Sequence, residues 1–213
     1  MGTPVVWQVS ATSLMGWIFL LTFLGWVGGG LYYRSVAWLA MANTDIRPPG
    51  IFRAILQTML VSILWCFLSV IIGVPIFLIL AVVLQFNAFL ANLAVLFLSL
   101  ASMWVIVPLF FWPHGVFIKQ QNALAAILSS LKLMRFTLPT SSLFVLTMFL
   151  LTFGLNFLWS IPPEDSWMTL VGILGQSFVA TALLASSFIY YRDMNIWLQD
   201  TMERLKLAQS KRA

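Results

Sequence analysis

Five apolar runs, at residues 14–33, 54–84, 89–111, 141–159 and 167–190, alternate with shorter polar stretches that hold every charged residue of the chain. The runs are continuous, and crossing a bilayer takes roughly 20 apolar residues per helix. Backbone N–H and C=O groups in hydrocarbon must be paired within the segment or within a closed barrel. Barrel strands alternate apolar and polar residues, and these runs do not, so each run predicts a helix. The expected fold is all-α: one integral membrane domain over residues 1–213, a polytopic transmembrane bundle of about five spans, with six as the alternative count, and additional helices at the membrane surface.

Residues 1–13 carry no charge and lack the Lys or Arg that opens a secretory signal. In the first span Gly25 and Gly29 stand four apart, a small-residue pair that lets another helix come close, either in the same bundle or in a second copy. Residues 35–50 read as a connector, with Asn43-Thr44-Asp45 as turn material and Arg47-Pro48-Pro49-Gly50 as a helix breaker. The run 54–84 is too long for one upright span; Gly73 and Pro75 near its centre predict a kink, a strong tilt or an extension beyond the membrane. Gln85-Phe86-Asn87 is the next turn, so the second and third spans form a hairpin.

The segment 111–140 is the longest polar interruption. Trp112-Pro113-His114-Gly115 reads as the end of the third span. From 121 to 136 the pattern turns amphipathic, with Leu124, Ile127, Leu128, Leu131 and Met134 at helical spacing and Ser129, Lys132 and Arg135 off that stripe. This predicts a separate helix in the membrane interface, its cations among headgroups; the competing reading tucks it under the bundle as a gate or docking face. Pro139 then leads into the fourth span. In the fifth, Ser177, Thr181 and Ala185 make a second small-residue stripe. The tail 192–213 continues as a helix with Met194, Trp197, Leu198, Met202 and Leu205 on one side and an Asp200–Arg204 pair four residues apart.

Charge orients the chain. The loop 34–53 is +2, the central segment +3, the tail +2 and the turn 161–166 −2, which together make the net charge of +5. With five spans, an outside N-terminus and a cytoplasmic C-terminus, every cation falls on the cytoplasmic side, the side that attracts Lys and Arg. The expected location is therefore the cytoplasmic membrane, with the lipid bilayer as first partner and a protein partner or a homo-oligomer as second. Composition agrees: 62% of residues are hydrophobic and 8% charged, against about 45–50% and about 25% in soluble domains. The pI of 9.8 does not point to nucleic acid, because the cations flank apolar spans instead of forming one dense basic face.

Chemistry is sparse. No Asp, Glu, Lys or Arg lies within a span, which argues against a proton relay or intramembrane acid–base catalysis. Cys66 is the single cysteine and His114 the single histidine, so a histidine-paired metal site has no ligand set. No phosphate-binding loop and no Gly-x-Ser-x-Gly elbow is present. A Ser–His pair involving His114 remains open, beside the plainer reading of an interfacial histidine. Gln57, Asn92, Asn156 and Gln176 are the span amides, suited to interhelical hydrogen bonds. No catalytic, cofactor or metal residue is assigned; Gly25, Gly29, Ser177, Thr181 and Ala185 are candidates for helix packing, and His114, Lys119, Lys132, Arg135, Arg192 and Trp197 for interfacial docking.

The stretch Asn122-Ala123-Leu124-Ala125-Ala126-Ile127-Leu128-Ser129-Ser130-Leu131-Lys132-Leu133, together with Ala180-Thr181-Ala182-Leu183-Leu184 and Tyr190-Tyr191-Arg192-Asp193-Met194, resembles a bacterial membrane-domain family that includes the membrane portion of glycerophosphodiester phosphodiesterases. The resemblance implies a helical bundle, usually of about six spans, in the cytoplasmic membrane and without enzymatic residues of its own. On these grounds the expected role is a non-enzymatic accessory or scaffold protein. The alternative is a small transporter or permease-like subunit for a lipid or uncharged solute.

Overall fold

A computed structural model describes residues 11–161 and 166–210. The expected turn residues 162–165, the N-terminal residues 1–10 and Lys211-Arg212-Ala213 lie outside them. Five helices follow in order: α1 (Ala11–Ala40), α2 (Ile51–Phe86), α3 (Ala88–Ile118), α4 (Ala123–Trp159) and α5 (Met168–Ser210), with no strand among the described residues. All five contain a stretch long and apolar enough to cross a membrane. The chain is a multi-pass membrane protein with an all-α bundle.

The helices outrun the apolar runs that predict them. The 43 residues of α5 extend about 65 Å at 1.5 Å per residue, twice a hydrocarbon core of about 30 Å. The segment 121–136 is not a separate helix: it is the first part of α4, which runs unbroken through Pro139 for 37 residues. Likewise α3 continues past Pro108 and Pro113 to Ile118. Proline removes one ladder donor but does not end a helix whose neighbours satisfy the freed groups, as happens in membranes. Pro75 sits inside α2 in the same way.

Between α2 and α3 only Asn87 interrupts the helix. Its extended backbone turns the chain, and its side-chain oxygen accepts the N–H groups of Phe89 at 2.8 Å and Leu90 at 3.3 Å. An asparagine does this because its short amide reaches the first free donors of the following helix.

Most of the packing lies at one end, with Ala91, Val145, Met148 and Gly172 buried further along the helices. Val36, Ala37 and Met41 of α1 and its exit, Ala54 and Val61 of α2, Val107 to Phe117 of α3, Ala123 to Met134 of α4, and Phe188 and Tyr191 of α5 make the buried clusters. Beyond Val61 no residue of α2 is buried, and between Ala91 and Val107 no described side chain of α3 is. The buried end is the one that carries the cations. Arg34 Nε donates to Pro49 O at 2.9 Å, Arg53 donates to Gln120 O, and Gln120 Nε2 donates to Arg47 O at 2.8 Å. The links 41–50 and 119–122 are thus bonded to each other and lie on the same side. Gln120 adopts a positive φ of 52°, a conformation that L-residues with long side chains seldom hold without such bonds.

Candidate functional site

Three helices meet where α3 ends, α4 begins and α5 crosses them, and the meeting point is polar. Ser187, Tyr191 and Asn195 lie four apart on α5, one face of a helix. That face brings Ser187 Oγ to 2.7 Å from His114 Nε2. The Ser187 hydroxyl also lies 2.7 Å from Leu184 O. Both contacts hold at once when Nε2 carries the ring proton and donates to Oγ, while Ser187 donates to the carbonyl. His114 is 2% exposed and packed among Phe110, Phe111, Phe188 and Tyr191. The serine oxygen has no approach from solvent, so the Ser–His pair resembles a helix clamp more than a nucleophile and base.

Around it the connector is fastened from several sides. Trp112 Nε1 donates to Ala123 O at 2.6 Å, Ser130 Oγ donates to Pro108 O at 2.7 Å, and Ala123 N donates to Gln57 Oε1 at 2.8 Å. Gly115 permits the crossing of α3 and α4: a Cβ there would stand 3.1 Å from the Ala126 methyl and 3.2 Å from both Gln121 Oε1 and Tyr191 Oη. Lys119 lies 5.7 Å from the Tyr191 ring centroid, a cation–π contact that ties the α3 exit to α5. Partial burial pushes the Lys119 amine below the ordinary lysine range.

The packed face of α4 shares only Ile127 and Met134 with the stripe that helical spacing suggests. Leu124 is 65% and Leu128 60% exposed, with Leu131 exposed as well, whereas Ala126, Ser130, Leu133, Met134 and Thr137 are buried. In a bilayer large aliphatic side chains are as well placed against lipid as against protein, and small or hydroxyl residues allow helices to touch. The tucked position, not the free surface helix, describes this segment. Lys132 and Arg135 remain exposed on it, and Arg192 pairs with its neighbour Asp193 at 2.7 Å. Trp197 is half exposed, beside Tyr190, Asp193 and Phe144 along a groove between α4 and α5. The Asp200–Arg204 pair suggested by spacing is not formed among the described residues.

Close helix approaches fall beside the expected glycines. A Cβ on Gly25 would meet nothing within 4 Å and one on Gly29 only the Thr58 methyl at 3.8 Å, but on Gly30 it would meet Ile55 Cα at 2.9 Å. Gly30 is therefore where α1 touches α2, because it alone of the glycines at this crossing points at backbone. On α5, Thr181 Oγ1 lies 2.9 Å from Tyr32 Oη, and Ala185 packs against the α1–α2 cluster; Ser177 is exposed and bonds its own helix at Ile173 O. Gly172 and Gly175 instead seat Trp159, a Cβ on Gly175 falling 2.8 Å from the indole ring. Of the four span amides Gln57 bonds across helices, while Asn92 and Asn156 are exposed.

A cavity of about 390 Å³ opens between α1, α2 and α3, next to this junction, lined by Tyr33, Gln57, Thr58, Ser62, Trp65 and Phe117 among others. Trp65 is also a wall of a larger, apolar groove of about 530 Å³ between α2 and α3. No group of three or more His, Cys, Asp or Glu suited to a metal occurs among the described residues.

The fold and this junction define a multi-pass helical membrane protein closed at its cationic end. Comparison with protein-family models, curated proteins and solved structures gives no match to the chain.

Proposed function

We propose that this protein is a non-enzymatic accessory or scaffold of the cytoplasmic membrane, with its N-terminus outside and its cationic end presented to the cytoplasm. The observation that carries the reading is the convergence of three cationic segments on one rigidly bonded end. Arg53 and Gln120 join the first two, and Lys119 against Tyr191 joins the third. Buried polar groups there serve contacts within the fold, and Lys132, Arg135 and Trp197 are among the groups exposed. Such a surface suits an acidic or amphipathic protein partner, since opposite charge steers encounter and an exposed aromatic anchors it. The resemblance to the membrane portion of glycerophosphodiester phosphodiesterases adds a bundle without catalytic residues to the same reading.

Native mass spectrometry of protein extracted gently from its own membrane tests it. A stoichiometric second protein, lost when Lys132 and Arg135 are both changed to Glu, is the expected result. A lone chain or homo-oligomer for both proteins would overturn it. The cavity between α1, α2 and α3 favours a second reading, a small transporter subunit for a lipid or uncharged solute; flux in reconstituted vesicles would carry that reading.

A further inference from the structure

We infer that the cavity between α1, α2 and α3, together with the groove between α2 and α3 that adjoins it across Trp65, binds a lipid with a single hydrocarbon tail and an uncharged oxygen acceptor at its polar end.

The polar end of the site is set by Gln57. Its side chain is 6% exposed, and its oxygen must face Ala123, because that partner is an N–H donor. This leaves the amide nitrogen on the other lobe, and its N–H groups have no partner among the described residues. Gln57 lines the cavity beside Tyr33, whose hydroxyl likewise has no hydrogen-bond partner among them. The other hydroxyls of the wall are engaged: Thr58 donates to Ala54 O and Ser62 to Thr58 O, each at 2.9 Å. The cavity therefore offers two donors, an amide and a phenol, to an incoming oxygen. Both donors open onto the cavity, where an acceptor brought by a ligand would gain about 0.5–1.5 kcal/mol from each hydrogen bond.

Charge decides the class of that acceptor. No Lys or Arg lines either cavity, and Arg34 and Arg53 turn to the loop carbonyls of Pro49 and Gln120. An anionic headgroup would enter without a counter-charge, at a large desolvation cost. An ester, ketone or hydroxyl oxygen would not. Past Trp65 the groove is walled mainly by aliphatic residues and by Gly73, where a Cβ would meet nothing within 4 Å; of its three serines, Ser99 donates to Val95 O and Ser102 to Ser99 O along their own helix, and Ser69 is the third. Both volumes fall in the range of about 300–1,000 Å³ usual for small-molecule sites. The inference does not depend on the accessory reading, since the site lies apart from Lys132 and Arg135.

A tail-matched pair of photoactivatable probes tests it: a monoacylglycerol and a lysophosphatidate, each with a diazirine in the same acyl chain, added to the full-length protein in nanodiscs. The expected result is about fivefold or greater preference for the monoacylglycerol, with crosslinks mapping to α2 and α3 near Gly73. Tyr33→Phe should lower that labelling about fivefold, the loss of one neutral hydrogen bond. Gly73→Leu should abolish it by filling the groove, with thermal midpoints of both variants near wild type. Equal labelling by the two probes, or labelling unchanged by Gly73→Leu, would overturn the inference and leave bulk lipid as the occupant. A variant with a lowered midpoint is replaced by Ile72→Trp, which fills the same groove from the neighbouring position, and the same two outcomes decide.

Discussion

Nε2 of His114 lies 2.7 Å from Oγ of Ser187, 73 residues further along the chain. The pair joins α3 to α5 at the point where both are fully buried, and it makes the one histidine a structural group. His114→Ala should destabilise the protein by about 2–5 kcal/mol, the range for emptying a packed aromatic-sized site. Ser187→Ala should cost only about 1 kcal/mol. The double variant should show a coupling of about 0.5–3 kcal/mol, as groups in contact do. Thermal midpoints in a fixed detergent would read all three; additive effects would remove the clamp.

Gly30 rather than Gly25 holds α1 against α2. Gly30→Ala pushes a methyl into the backbone of Ile55, and overpacking of this kind costs about 1–3 kcal/mol. Gly25→Ala meets open space and should leave the midpoint unchanged. A larger effect at Gly25 than at Gly30 would mean that Gly25 contacts a second chain, which size measurements on the two variants would detect.

Trp112→Phe keeps the ring and removes the indole N–H that bonds Ala123 O at 2.6 Å. The Ala123 carbonyl keeps its place in the first turn of α4 and loses its second donor, at about 0.5–1.5 kcal/mol. Faster proteolysis in the 119–122 link, which that bond closes, is the expected sign. An unchanged cleavage rate would show the link held by Gln57 and Ser130 alone.

Lys119 gives a pH dependence with a definite sign. Burial lowers its folded pKa below that of the unfolded chain, so between the two values the unfolded state binds more protons. Stability then rises with pH through that alkaline window. Lys119→Met should flatten the slope there. A slope identical in the variant would assign the effect to another group.

Orientation is open to direct labelling. In a Cys66→Ala background, Ser166→Cys should react with an impermeant thiol reagent from outside intact cells, while a tag after Ala213 should stay protected. The reverse pattern would invert the topology.

Reading the chain alone succeeds where one physical demand dominates. Uninterrupted apolar runs flanked by every charge can only be spans, because unpaired backbone is intolerable in hydrocarbon. The same-sided cations of 34–53 and 119–135 follow from that count, and the bonds between Arg53 and Gln120 and between Gln120 and Arg47 put the two connecting links together. Ser187, Tyr191 and Asn195 were findable too, as polar residues four apart beside an aromatic cluster.

Which faces pack was decided only by the tertiary structure. Hydrophobicity separates water from everything else, so it cannot tell Leu128, which faces outward, from Leu133, which is buried one and a half turns later on the same helix. Gly25, Gly29 and Gly30 are alike in sequence, and only the path of α2 selects Gly30. Gln57 reads as one amide among four until Ala123 takes its oxygen and leaves its nitrogen to the cavity. The sequence by itself determined that the chain crosses as helices and which end is cationic, through solvation of backbone and charge. The contacts that close that end arise from shape between helices, which no single run encodes.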